Sequence, residues 1–110
     1  MHKYTILIDL DGVLNTYIGG YDENFIPPMK DGADVFLEKL SENFDLKLFT
    51  TRSSDLVEKW CIENNIMQYF SEITNVKKMA FLMIDDRCLR FNGDYQAILS
   101  DIFNFKPWYK

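Results

Sequence analysis

The chain has 110 residues, 47% of them hydrophobic and 15% aromatic, which supports one domain around one modest core and argues against disorder. Twelve Lys and Arg against 17 Asp and Glu leave a formal charge of −5. The acids are spread along the chain, which argues against a broad footprint for nucleic acid or an anionic membrane. No apolar run approaches a bilayer span, and because Met1-His2-Lys3 passes directly into the first apolar run no targeting segment is expected. Cys61 and Cys88 form no C-x-x-C pair, so reduced thiols in a cytoplasmic protein are expected.

In chain order, Thr5-Ile6-Leu7-Ile8 is an unbroken apolar or β-branched run that predicts a strand buried on both faces. It runs into Asp9 and Asp11, with Gly12 behind them to permit a sharp turn. Val13 to Ile18 is expected to leave the sheet, and Gly19-Gly20 reads as a two-residue hairpin. Residues 15–30 would then form a small flap over the two aspartates, with Pro27-Pro28 keeping its second half a loop. Asp31 is placed as the cap of a helix through Ser41 that turns Val35, Phe36, Leu37 and Leu40 inward. Leu46 to Phe49 predicts a second strand, ending at Thr50-Thr51-Arg52. Ser53 or Ser54 caps the next helix, with Leu56, Val57, Trp60, Cys61 and Ile66 facing the core. A short strand over 71–74 follows, and Met79 to Ile84 is a third strong run that delivers Asp85-Asp86-Arg87 to its end. Beyond it are expected an extended piece near Arg90-Phe91, a helix over 94–103 and an aromatic tail that packs back on the same domain.

Alternating strands and helices make α/β the expected class, with a parallel sheet. Its strand ends share one edge, so Asp9 with Asp11, Thr50 with Thr51 and Arg52, and Asp85 with Asp86 converge there. Singly, each has an ordinary reading. Asp9 is a turn residue, Asp85-Asp86-Arg87 a solvated loop, Thr50 a strand residue, Lys77 beside Lys78 a solvent-facing pair, and the lone His2 a surface residue. Together they place up to four negative charges in a small space, which needs a cation or shifted pKa values. An all-oxygen ligand set suits Mg²⁺, and a bound cation would attract a phosphate whose other oxygens Lys77 and Thr50 can hold. A carboxylate aimed at phosphorus can act as nucleophile, and a second one nearby can carry a proton to the leaving oxygen.

Asp9-Leu10-Asp11-Gly12-Val13-Leu14 resembles the first motif of the haloacid dehalogenase superfamily. Leu48-Phe49-Thr50 resembles its second, Lys77 its third, and Ile84-Asp85-Asp86-Arg87 its acidic fourth. The motifs occur in order and span residues 9–86. The resemblance implies a Rossmann-like three-layer fold around a parallel sheet of about four to five strands, with residues 1–110 as one domain. It implies Asp9 as the nucleophile that forms an aspartyl-phosphate and Asp11 as general acid and base. Thr50 would orient a phosphate oxygen, and Lys77, or else the adjacent Lys78, would neutralise charge. Mg²⁺ would be held by Asp9, the backbone carbonyl of Asp11, and Asp86 with Asp85 close behind. Thr51, Arg52 and Arg87 stand next to this set as substrate contacts, although Arg87 also suits a structural ion pair.

The spacing departs from members that carry a cap domain, since residues 15–30 suffice only for a flap. The expectation is therefore a capless, Mg²⁺-dependent phosphomonoesterase acting on a phosphorylated small molecule or an accessible phosphate of a larger substrate. Nucleic acid is disfavoured and no membrane is involved. The alternatives are a regulatory domain that keeps the Mg²⁺ and phosphate site without turnover, and a phosphotransferase using the same residues.

Overall fold

Branched side chains stand clear of a pleated strand and crowd a helix, so the run from Thr5 to Ile8 favours extended backbone. In the computed structural model, which describes residues 3–110, it forms β1 (Thr5–Asp9), and Ile6, Leu7 and Ile8 are at most 2% exposed. His2, expected on the surface, lies outside the described residues. β1 is buried on both faces because it is central. It pairs in parallel with β2 (Asp45–Phe49) on one side and β4 (Leu82–Ile84) on the other, while β3 (Phe70–Thr74) lies outside β2. The sheet is therefore four-stranded and all-parallel, in the order β3-β2-β1-β4. With α1 (Ala33–Ser41), α2 (Ser54–Glu63) and α3 (Tyr95–Asn104) it makes an α/β architecture compatible with a Rossmann-like fold.

Side chains alternate across the sheet, and the two faces differ in chemistry. Ile6 and Ile8, in register with Leu46 and Leu48, join Leu37 of α1 and Val57, Trp60 and Cys61 of α2 in one core. On the opposite face Lys47 pairs with Asp45 at 3.8 Å and with Glu72 at 3.5 Å. Residues 75–81, which link β3 to β4, cross that face without a helix, and Lys78 pairs there with Glu72 at 3.7 Å. Where a third, helical layer is expected, this link takes the chain across. α3 buries none of its residues.

Several expected details differ. Gly32, not Asp31, holds the N-cap position of α1, with φ at 88°, a left-handed conformation that glycine adopts at little cost. Starting the helix after that turn sets its buried face at Ala33 and Leu37, leaving Val35 50% and Phe36 40% exposed. No hairpin forms at Gly19-Gly20. Residues 15–30 are instead an irregular loop closed at its base by the antiparallel bridge Asn15–Met29, with Thr16 N–H donating to Pro28 at 3.0 Å and Lys30 N–H to Leu14 at 2.8 Å. The two prolines have no N–H to extend a ladder beyond that bridge. β4 is shorter than the apolar run 79–84, because Met79 and Phe81 belong to the crossing link and are exposed. Arg90-Phe91 lies outside the strands and helices, and α3 lies where a helix is expected, with Asp94 accepting from the N–H groups of Gln96 and Ala97. The tail returns to the end of β1, where Trp108 Nε1 donates to the Gly12 carbonyl at 3.2 Å and Lys30 sits 3.8 Å from the indole ring. No helix among the described residues is long and apolar enough to cross a membrane.

The face assigned to α1 is open to test by truncation. Leu37→Ala should cost about 2–5 kcal/mol in urea unfolding, and Val35→Ala less than about 0.5 kcal/mol. Similar losses at the two positions would contradict the assignment.

Candidate active site

Because Ile8 lies opposite Ile84, the next residues along the chain, Asp9 at the end of β1 and Asp85 just after β4, emerge side by side at the carboxyl end of the sheet. Asp86 turns inward behind them, its side chain 4% exposed. Asp9, Asp85 and Asp86 each offer an oxygen, and the three oxygens lie within 4.8 Å of one another. Gly12 makes this approach possible, since a Cβ there would collide with Asp86 Oδ2 and the φ of 86° suits glycine. Asp86 Oδ2 is buried and has no hydrogen-bond partner. A bare, buried carboxylate oxygen is costly unless a proton or cation meets it, and three clustered carboxylates are groups that could hold a hard cation.

The electrostatics follow from that crowding. Burial first, then the charges of Asp85, Asp86 and Asp11, push the Asp9 carboxyl from 3.8 up to about 7, against a stabilising N–H from Leu10. Burial likewise raises Asp86; the Arg87 guanidinium opposes that rise and Asp85 adds to it. These are the carboxyls that would gain most from a positive charge between them.

Asp11 shares the cavity with the triad but does not belong to it. Arg52 Nε donates to Asp11 Oδ1 at 3.2 Å and Oδ2 at 3.0 Å, and Asn15 Nδ2 donates to Oδ1 at 3.0 Å. The cavity holds about 270 Å³ and is lined by Asp9, Asp11, Tyr17, Tyr21, Thr51, Asp85, Asp86 and Arg87. Thr50 is buried, accepts from the Arg52 N–H at 3.1 Å, and faces an adjoining cavity of about 360 Å³ with Ser53, Ser54 and Thr74; Thr51 and Arg52 line that second cavity too. Arg87 is half exposed, with Nε 3.9 Å from Asp86 Oδ1 and Nη2 donating to the Tyr109 hydroxyl at 2.6 Å. Lys77 and Lys78 are exposed and line neither cavity, because the link that carries them crosses the sheet. The structure thus brings together Asp9, Asp11, Thr51, Asp85, Asp86 and Arg87, sets Thr50 behind them, and leaves both lysines outside.

Four contributors escaped the sequence reading. Asn15 is fully buried, and its Oδ1 accepts from the N–H groups of Gly12 (3.1 Å) and Tyr17 (3.0 Å) while its amide holds Asp11. An Asn following Asp-Gly by a few residues is a local turn signal that sequence alone can flag. Tyr17, Tyr21 and Trp108 reach the site through loop and tail geometry, for which no pattern in the sequence stands.

The raised Asp9 carboxyl ties stability to pH. An unfolded Asp loses its proton near pH 4 and the folded one near 7, so between them the native state binds more protons and is destabilised as pH rises. In EDTA, the melting temperature of Asp9→Asn relative to the native chain should therefore climb from pH 4 to pH 7, and a pH-independent difference would contradict the crowding. Gly12→Ala should cost about 1–3 kcal/mol through the strained φ and the collision with Asp86, read in the same melts.

Comparison of the chain with protein families, curated proteins and solved structures finds no match, so its chemistry is read from these side chains.

Proposed function

We propose that the chain is a Mg²⁺-dependent phosphomonoester hydrolase of the haloacid dehalogenase type, working through an aspartyl-phosphate on Asp9. The observation that carries this reading is the triad Asp9, Asp85 and Asp86 gathered at the mouth of a parallel sheet, with Asp86 Oδ2 buried and unpartnered. Such mouths are where α/β sheets bind ligands. Asp9, Asp85 and Asp86 would hold Mg²⁺, which when bound supplies the positive charge that draws in and polarises a phosphate.

The remaining steps belong to the chain. An Asp9 carboxylate oxygen bonds to phosphorus as the ester P–O bond breaks, and the leaving oxygen takes a proton from Asp11. Asp11 then accepts a proton from water as the water oxygen bonds to phosphorus. The bond to Asp9 breaks and phosphate departs, leaving Asp9 as the free carboxylate and Asp11 as the protonated acid with which the cycle began. Thr51 and Arg87 line the cavity and would meet phosphate oxygens, with Arg87 supplying the charge expected of Lys77. Thr50 supports the turn that presents Thr51 by accepting from the Arg52 N–H.

A cavity bounded by the 15–30 loop rather than a separate cap suits a small phosphomonoester or a phosphate projecting from a larger molecule, and the charge of −5 disfavours nucleic acid. Two free cysteines suit a reducing, cytoplasmic setting. One observation favours the competing reading, a cation-binding domain without turnover: neither Lys77 nor Lys78 lines the cavity.

Hydrolysis of p-nitrophenyl phosphate separates the two. Release should require Mg²⁺ and fall at least about a thousandfold in Asp9→Asn, because the nucleophile is lost. A native chain that binds Mg²⁺ yet releases nothing from this ester or from an alkyl phosphate would leave the binding domain as the better reading.

A further inference from the structure

Arg52 joins the 15–30 loop to the acidic site through one buried guanidinium. Its side chain is 1% exposed. Nε donates to both oxygens of Asp11, at 3.2 and 3.0 Å, while Nη1 donates to the carbonyls of Asp22 at 2.7 Å and Phe25 at 3.0 Å. The Tyr21 ring, from the same loop, lies 4.6 Å from the guanidinium carbon. A guanidinium is planar and rigid, so its donors move together. If the Asp22 and Phe25 carbonyls shift, Nη1 follows them and Nε turns on Asp11. Asn15 grips the same carboxyl from the base of the loop, holding Asp11 with its amide N–H and the Tyr17 N–H with its carbonyl.

We propose that Arg52 is a positioning residue that couples the seating of residues 15–30 to the orientation of Asp11, so that proton transfer in the site is competent only when the loop is seated. The role given to Asp11 rests on the phosphomonoesterase reading; the mechanical coupling does not. Arg52 Nη2 is buried and unpartnered, so both of its N–H groups are held in reserve on the guanidinium. Asp11 can therefore turn toward a leaving oxygen and pass from one N–H to another without losing Arg52. The position would otherwise be hard to explain, since a buried guanidinium with an unsatisfied nitrogen is costly where only packing is at stake.

Leaving groups report on proton transfer. p-Nitrophenolate departs without a proton, whereas an alkyl alcohol needs one, so misplacing the acid should harm alkyl esters far more. Arg52→Lys and Arg52→Gln should lower kcat/KM for glycerol 2-phosphate about a hundredfold or more and kcat/KM for p-nitrophenyl phosphate less than about tenfold, since kcat/KM reports the departure of the leaving group and not the later hydrolysis that both esters share. Equal losses on the two substrates, or none, would overturn the proposal. Hydrogen exchange tests the coupling without turnover, and remains available if the Arg52 variants do not fold. The Phe25 N–H donates to the Asp22 carbonyl at 3.3 Å. In Asp11→Ala its exchange should quicken at least about tenfold, because Arg52 loses its anchor, although Asp11 is hydrogen-bonded to neither Asp22 nor Phe25. Unchanged protection would overturn the coupling. Inactivity of the native chain on both esters, together with this quickening in Asp11→Ala, would instead refute the enzyme reading and keep the coupling.

Discussion

The register between β1 and β4 is the constraint from which the site follows. Pairing Ile6 with Leu82, Leu7 with Met83 and Ile8 with Ile84 leaves no freedom in where Asp9 and Asp85 emerge. A slip of one residue would turn Ile6 and Ile8 away from the core they share with Leu46 and Leu48, so burial enforces the register. The carboxylates do not attract one another. They are held together by apolar residues behind them, and the repulsion is offset by packing elsewhere in β1. That is why Asp9 sits near 7 and why Asp86 can keep a bare oxygen in the interior.

The sheet supplies only half of the arrangement. The turn after β1 is shaped by Gly12, whose missing Cβ leaves room for Asp86, and by Asn15, whose amide closes the turn on Asp11. Arg52 then crosses from the end of β2 to fasten the loop on the far side of Asp11. Removing one member of a buried ion pair commonly costs about 3–5 kcal/mol because the other charge is stranded, so the network is costly to break once formed, whatever its net worth to the fold. Trp108 adds a lid to the same turn by donating to the Gly12 carbonyl. The candidate site therefore combines one rigid edge and one fastened loop, the usual division between scaffold and site.

What the sequence discloses is what depends on neighbours along the chain. β1 and its aspartates are legible because an apolar run ends in acids, and a strand-end position is a local property. Asp85 and Asp86 are legible for the same reason. The buried face of α1 is not, because Val35, Phe36, Leu37 and Leu40 fit helical spacing in more than one rotation, and the left-handed turn at Gly32 chooses Ala33 and Leu37. Met79 to Leu82 reads as strand by composition, yet the link must spend residues crossing the sheet before pairing begins at Leu82, just after the Phe81 N–H meets the Thr5 carbonyl. Lys77 looks adjacent to the site in order and is carried away by that crossing. Arg52, by contrast, reads from the sequence as a substrate contact, and its Nε and Nη1 are held by Asp11 and the loop, partners far from it along the chain.

The most direct test of the central claim, that Asp9 faces a phosphate position beside a cation held by the triad, is a crystal structure with Mg²⁺ and beryllium fluoride. Beryllium bonded to an Asp9 carboxylate oxygen, with Mg²⁺ held by Asp9 and by Asp85 or Asp86, is the predicted result. Mg²⁺ bound away from the three carboxylates, or an Asp9 left unmodified beside a bound ion, would contradict it.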